Sequence, residues 1–207
     1  MRTIEQNIYR YSELNINAKE RVKQWYLEGQ DNNFFYNNCF NDLKELFGCN
    51  ELELQYSLSY SQGDGFNIFG KINGENIIDT IINGFGWALL SDFETVLSEK
   101  EQRTIKKYAK ECSCIELPYN NRYCYSLANQ IEFAENWICE LENCNFSNIN
   151  KAVIYKFERL VRDIFSEICE DFKESGYKYF YEIDEYDLEN WCTEMEYELF
   201  ENGELYC

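Results

Sequence analysis

Between residues 153 and 172 the chain places Val153, Ile154, Phe157, Leu160, Val161, Ile164, Phe165, Ile168 and Phe172 at three-and-four spacing. Sustained for roughly six turns, that periodicity calls for a long helix with one continuous apolar stripe. Such a stripe is stable in water only when another layer covers it, so the remainder of the chain must supply a matching apolar surface. The interleaved Lys156, Glu158, Arg159, Arg162 and Asp163 read as the solvated face of the same helix.

The covering layer is legible upstream. Residues 51–72 read ELELQYSLSYSQGDGFNIFGKI, with Leu52, Leu54, Tyr56, Leu58 and Tyr60 alternating against Glu51, Glu53, Gln55, Ser57 and Ser59. Strict alternation is the pattern of a half-buried strand. Beyond the glycines, Phe66, Ile68 and Ile72 share a face and define a second strand, so the segment is a hairpin. Gly63 and Gly65 suit a tight reversal, and Asp64 between them can accept hydrogen bonds from nearby backbone amides. The S-Q-G-D-G stretch is read as a turn in which Tyr60, Gln62 and Asp64 are available to touch a partner. Residues 112–133 read as a second hairpin, with Pro118, Asn120 and Asn121 at its turn.

Helices are expected over NAKERVKQWYLE, with Asn17 as cap and Gly29 past the end, and over NNFFYNNCFNDLKELF, stopped by Gly48. Another follows Ser98, which stands three residues before Glu101 in a capping box. A helix from Gly74 is expected to break or bend at Gly84 and Gly86, and TIEQNI near the start alternates as a short strand. Asp184 caps a last, shorter helix, and Asn202-Gly203 marks a turn. With one proline and no low-complexity linker, the expectation is a single compact α+β domain over 1–207. Its antiparallel sheet has about four main strands in two hairpins, covered by helices, and its acidic segment spans 179–207.

The charge narrows the partners. Against 19 Lys and Arg stand 38 Asp and Glu, a formal charge of -19. Such a chain repels nucleic acid and anionic membranes and attracts basic surfaces. No histidine is present, which removes the commonest general base and the commonest metal ligand. The ten cysteines lack the paired spacing of a zinc site, and Cys39 and Cys169 fall inside apolar patterns as core residues. No calcium loop occurs, and no cofactor or metal is expected. The N-terminal stretch has no apolar leader, so the expected setting is the cytoplasm of a host cell.

Past Lys178 there is no basic residue, while Glu182, Asp184, Glu185, Asp187, Glu189, Glu194, Glu196, Glu198, Glu201 and Glu204 follow. These acids are the candidate partner-binding residues. Carboxylates on a helix and its following turn can imitate the phosphates of a duplex and engage the Lys and Arg of a nucleic-acid channel. A solvated acidic helix face is the plainer alternative.

Four stretches together carry a resemblance: YSELNINAKERVKQWYLE, YSLSYSQGDGFNIFGKI, NRYCYS and YFYEIDEYDLENWCTEMEYELFENGELY. They resemble a family of small acidic accessory proteins of bacteriophages and mobile elements, whose pattern includes the S-Q-G-D-G hairpin. Tyr125 and Met195 depart from that pattern at positions where relatives carry His and Asn. The resemblance implies an anti-defence role, such as an anti-CRISPR that binds a CRISPR effector nuclease like Cas9, and no catalytic site. Two further readings stay open: an antitoxin-like or regulatory protein for a basic cytosolic partner, and an enzyme using carboxylates around Ser61 to Gly65.

Overall fold

The computed structural model describes residues 6–83, 97–120, 125 and 127–206. They fall into two compact units, one joining Met1–Asn32 with Ser175–Cys207 and the other formed by Asn33–Glu174. No proline- or glycine-rich linker marks the division in sequence.

The larger unit is built on a three-stranded antiparallel sheet in the order β1-β2-β3. β1 (Leu52–Ser57) pairs with β2 (Gly65–Ile72) with Leu54 opposite Ile68 and Tyr56 opposite Phe66. This register puts Leu52, Leu54, Phe66, Ile68 and Ile72 into the core, as the alternation requires. At the end of the pair Gly70 adopts φ +118 and lets the Glu51 carbonyl approach so closely that a Cβ would overlap it.

The expected fourth strand is corrected to three among the described residues. Among the described residues β3 (Ile115–Leu117) pairs with the second edge of β2, Leu117 opposite Gly70 and Ile115 opposite Ile72. Pro118, which has no N–H, ends the ladder. The buried side chain of Asn67 takes over, donating from Nδ2 to the Pro118 carbonyl at 3.1 Å and accepting from the Leu127 amide at 3.3 Å. Ala128–Gln130 is a 3-10 turn rather than a strand. Residues 121–124 and 126 of the expected hairpin, Gly84 and Gly86 of the expected bend, and Ile4 of the expected opening strand lie outside the described residues. Residues 6–8 of that strand have no strand partner among the described residues, the first pairing being the isolated bridge at Tyr9.

The helices are α1 (Ile16–Glu28), α2 (Asn32–Phe47), α3 (Gly74–Asn83), α4 (Glu99–Ala109), α5 (Ala134–Asn143), α6 (Lys151–Tyr181) and α7 (Glu185–Glu194). α2 ends at Gly48, whose φ of +57 is the left-handed stop expected of glycine. α6 is the long helix of the 153–172 pattern, and all nine of its stripe residues are buried. Phe165 stacks on Phe47 of α2 at 5.1 Å, and Phe172 meets Phe66 of the sheet at 5.7 Å. Phe157 packs on Phe133 and on Trp137 of α5 at 5.8 and 5.9 Å. Truncating a fully buried ring of this kind to alanine costs about 3–5 kcal/mol.

The polar face of α6 is not wholly solvated. Glu158 is only 8% exposed. Its Oε2 accepts from the Phe133 and Ala134 amides, each at 2.7 Å, and so caps α5 from a neighbouring helix. Its Oε1 meets Arg162 at 2.7 Å, and Arg162 Nε donates to the Ile131 carbonyl. A buried carboxylate is tolerable here because charged or amide donors satisfy both of its oxygens.

Candidate protein-interaction surface

The ten candidate acids all fall in the smaller unit. That unit packs residues 6–32 together with residues 175–206. Asn15, not Asn17, caps α1, its side-chain oxygen accepting from the Asn17 and Ala18 amides at 3.0 and 3.1 Å. Asp184 caps α7 as expected, accepting from the Asp187 amide at 2.8 Å. The buried seam consists of Leu14, Ala18 and Val22 against Leu188, Cys192 and Leu199. Above it Trp191 meets Trp25, Tyr26 and Tyr197 with ring centroids 4.7–5.3 Å apart. Edge-to-face and tilted pairs of this kind add binding beyond their buried area.

The segment after α7 is held by backbone pairing. Leu199 bridges Tyr9 through bonds of 2.8 and 2.9 Å and also bridges Leu205. Gly203 sits at φ +84 in the turn expected at Asn202-Gly203, with its Cβ position 2.5 Å from the Ala18 carbonyl oxygen. Only glycine permits that approach of turn to helix.

On this frame the acids point outward: Glu182, Asp184, Glu185, Asp187, Glu194, Glu196, Glu198, Glu201 and Glu204 are exposed, and Glu189 is half-buried. Three are engaged within the unit. Asp184 is used as the cap, Glu185 pairs with Lys19 at 2.6 Å, and Glu204 pairs with Arg21 at 3.5 Å. Among the described residues the other seven meet no basic side chain. With Leu188 and Cys192 marking the buried side of α7, a 100° step per residue puts Glu185 and Glu189 on one flank and Asp187 and Glu194 on the other. The carboxylates therefore form two flanks, not a single column.

The potential of this surface registers on its neighbours. Burial, and then Glu185, Cys192, Glu189 and Glu20, push the Tyr11 phenol up to about 12. Burial and Glu189 hold the Cys192 thiol at about 11. Both groups stay neutral beside a concentration of negative charge. A cleft of about 530 Å³ runs between the N-terminal segment and the end of α7, with Glu196 and Glu198 beside Tyr9, Arg10 and Tyr197. The contribution of Tyr9 and Arg10 has no signal in the sequence, because it depends on pairing across nearly the whole chain length.

Tyr60, Gln62 and Asp64 belong to the larger unit, at the tip of the β1-β2 hairpin. Tyr60 is 69% exposed and takes φ +55, and Gln62 is exposed. The Asp64 carboxylate faces inward on its own turn. Oδ1 accepts from the hydroxyls of Ser57, Ser59 and Ser61 at 3.0, 3.2 and 2.8 Å. Oδ2 accepts from the Ser59 and Ser61 amides at 2.6 and 2.9 Å. A carboxylate engaged by five donors organises the reversal. The serines earlier in the stretch serve the same turn.

Among the described residues no group of three or more Cys, Asp or Glu side chains is placed to hold a metal ion. Among those residues, too, no helix is long and apolar enough to cross a membrane. Cys39, Cys169 and Cys192 are buried cysteines, and burial, then Asp42, holds the Cys39 thiol at about 12. No family model, curated protein or solved structure matches the chain.

Proposed function

We propose that the protein is an anti-defence factor of a phage or mobile element, which binds a host defence nuclease such as a CRISPR effector through its acidic smaller unit. The observation that carries this reading is the set of seven outward carboxylates that meet no basic side chain among the described residues: Glu182, Asp187, Glu189, Glu194, Glu196, Glu198 and Glu201. The unit has 15 acidic residues against 6 basic ones, a surplus concentrated after Lys178. Concentrating like charge on one small unit costs stability through self-repulsion, a cost relieved when a basic partner covers it.

The lysines and arginines that line a nuclease's nucleic-acid channel are such a partner. The flanks of α7 and the turn after it present carboxylates to them in place of phosphates, and Trp191 and Tyr197 hold that presentation rigid. In this role the protein does no chemistry of its own. It acts inside the bacterial host, where the nuclease is, by keeping DNA out of the channel. The resemblance of its hairpin and C-terminal segment to phage accessory proteins supports the same setting.

The test is capture of tagged protein from cells expressing a panel of defence nucleases, washed at low and at high salt. The expected result is recovery of one nuclease that is lost at high salt, because exposed charge pairs are screened. Recovery of only a small toxin-like protein would transfer the function to the antitoxin reading.

A further inference from the structure

We propose that the groove between α4 and the loop after α5 binds a small phosphorylated ligand of the nucleoside monophosphate class. Lys100, Arg103 and Lys107 stand at i, i+3 and i+7 on α4, and with Tyr108, Phe146 and Asn148 they line a cleft of about 350 Å³. In a chain of charge -19, three converging cations on one helical face require an explanation.

The other cations of this helix and its cap are used within the fold: Lys106 pairs with Asp79, and Lys110 with Glu75 at 3.9 Å. Lys100 and Lys107 meet no carboxylate among the described residues. Among the described residues Arg103 pairs with Glu99 alone, on its own helix at 2.8 Å, with both side chains about four-fifths exposed. Such a pair is weak and exchanges readily for an incoming anion. The nearby Glu101 is already satisfied by Ser98 and by Lys156 at 3.0 Å, so it does not cancel the groove's charge.

The floor is preformed. Phe146 packs edge-on against Tyr108 at 5.9 Å, and Lys107 Nζ lies 5.1 Å from the centre of its ring. The Asn150 amide donates to the Tyr108 hydroxyl at 3.0 Å, and the Phe146 amide to the Leu141 carbonyl at 3.0 Å. Asn145 and Asn148, at φ +59 and +62, set the sharp turns that carry Phe146 over the helix. Cations for a phosphate, an aromatic ring for a base, and the Ser147 and Asn148 side chains for a sugar form one small site, and its volume lies at the lower end of small-ligand pockets.

Net charge selects the size of the ligand. A polyanion is repelled by the protein's field at each of its charges, whereas a monophosphate is repelled once. At physiological salt, acids more than about 8 Å from the groove are largely screened.

The experiment is titration of the full chain with adenosine and guanosine 5′-monophosphates, adenosine, inorganic phosphate and a single-stranded oligonucleotide, followed by NMR and calorimetry. The variant is Lys100→Gln with Lys107→Gln, the control is Lys71→Gln, and unfolding midpoints verify that each is folded. The expected result is saturable binding of a monophosphate, with adenosine and inorganic phosphate each at least about tenfold weaker. The double variant loses at least about tenfold in affinity, while the control is unchanged. The proposal is overturned if no monophosphate binds at about 10 mM, if phosphate alone binds as well as the nucleotide, if only the oligonucleotide binds, or if the double variant binds like the wild type.

Discussion

Replacing Asp64 separates a turn that organises the hairpin from a loop that acts on a ligand. Alanine removes both oxygens at once. The Ser59 and Ser61 amides then lose an acceptor of the kind a helix cap provides, worth about 1 kcal/mol each. The three serine hydroxyls lose their shared acceptor but can turn to water, adding well under 1 kcal/mol together. Asp64→Ala is therefore expected to cost about 2–3 kcal/mol, seen as a fall in midpoint of roughly 4–12 °C. Asn keeps one acceptor for the two amides and presents its NH₂ to hydroxyls that rotate to receive it, so Asp64→Asn costs only about 1 kcal/mol. Urea unfolding followed by circular dichroism measures both, and partner capture at a temperature where each variant is folded should match the wild type. The reasoning is refuted if alanine costs less than about 0.5 kcal/mol, or if asparagine leaves stability intact yet abolishes capture.

Other perturbations probe the remaining contacts. Ser98 hydrogen bonds first, and Lys156 second, hold the Glu101 carboxyl down at about 2, below its ordinary 4.5. A depressed acid stabilises the fold above the unfolded-state value and loses that contribution as pH falls toward the folded one. The difference in thermal midpoint between wild type and Glu101→Gln should be constant above about pH 5.5 and close between about pH 4.5 and 2. Glu158→Ala leaves Arg162 and the Phe133 and Ala134 amides without their acceptor, and should cost about 3 kcal/mol by chemical denaturation. Gly203→Ala puts a Cβ 2.5 Å from the Ala18 carbonyl oxygen at φ +84 and should lower stability by about 2 kcal/mol or more, again by denaturation.

What was legible in the sequence was local. The 153–172 stripe, the Ser98–Glu101 box, the Asp184 cap and the Gly63–Gly65 reversal are each defined by residues a few positions apart, and each is in place in the structure. The third strand lies where the sequence places it, but its partner is not legible, because pairing is a choice between edges. Ile115–Leu117 joins β2, more than 40 residues earlier, and nothing near Pro118 announces it. Glu158 looked like a surface acid because its amide partners lie two dozen residues upstream. The acidic surface was visible in outline from composition, since no base follows Lys178. The division of those acids into engaged and open ones was not, because it depends on Lys19 and Arg21 at the other end of the chain.

The most direct measurement is a DNA-cleavage assay of the captured nuclease with increasing protein, comparing wild type with the triple variant Glu194→Lys, Glu198→Lys and Glu201→Lys. All three positions are exposed and make no ion pair among the described residues, so the variant should keep the wild-type free energy of unfolding to within about 1 kcal/mol. The account predicts inhibition by the wild type that weakens as salt rises, and at least a tenfold loss of potency in the variant, about 1.4 kcal/mol. A folded variant that inhibits as strongly as the wild type would contradict it.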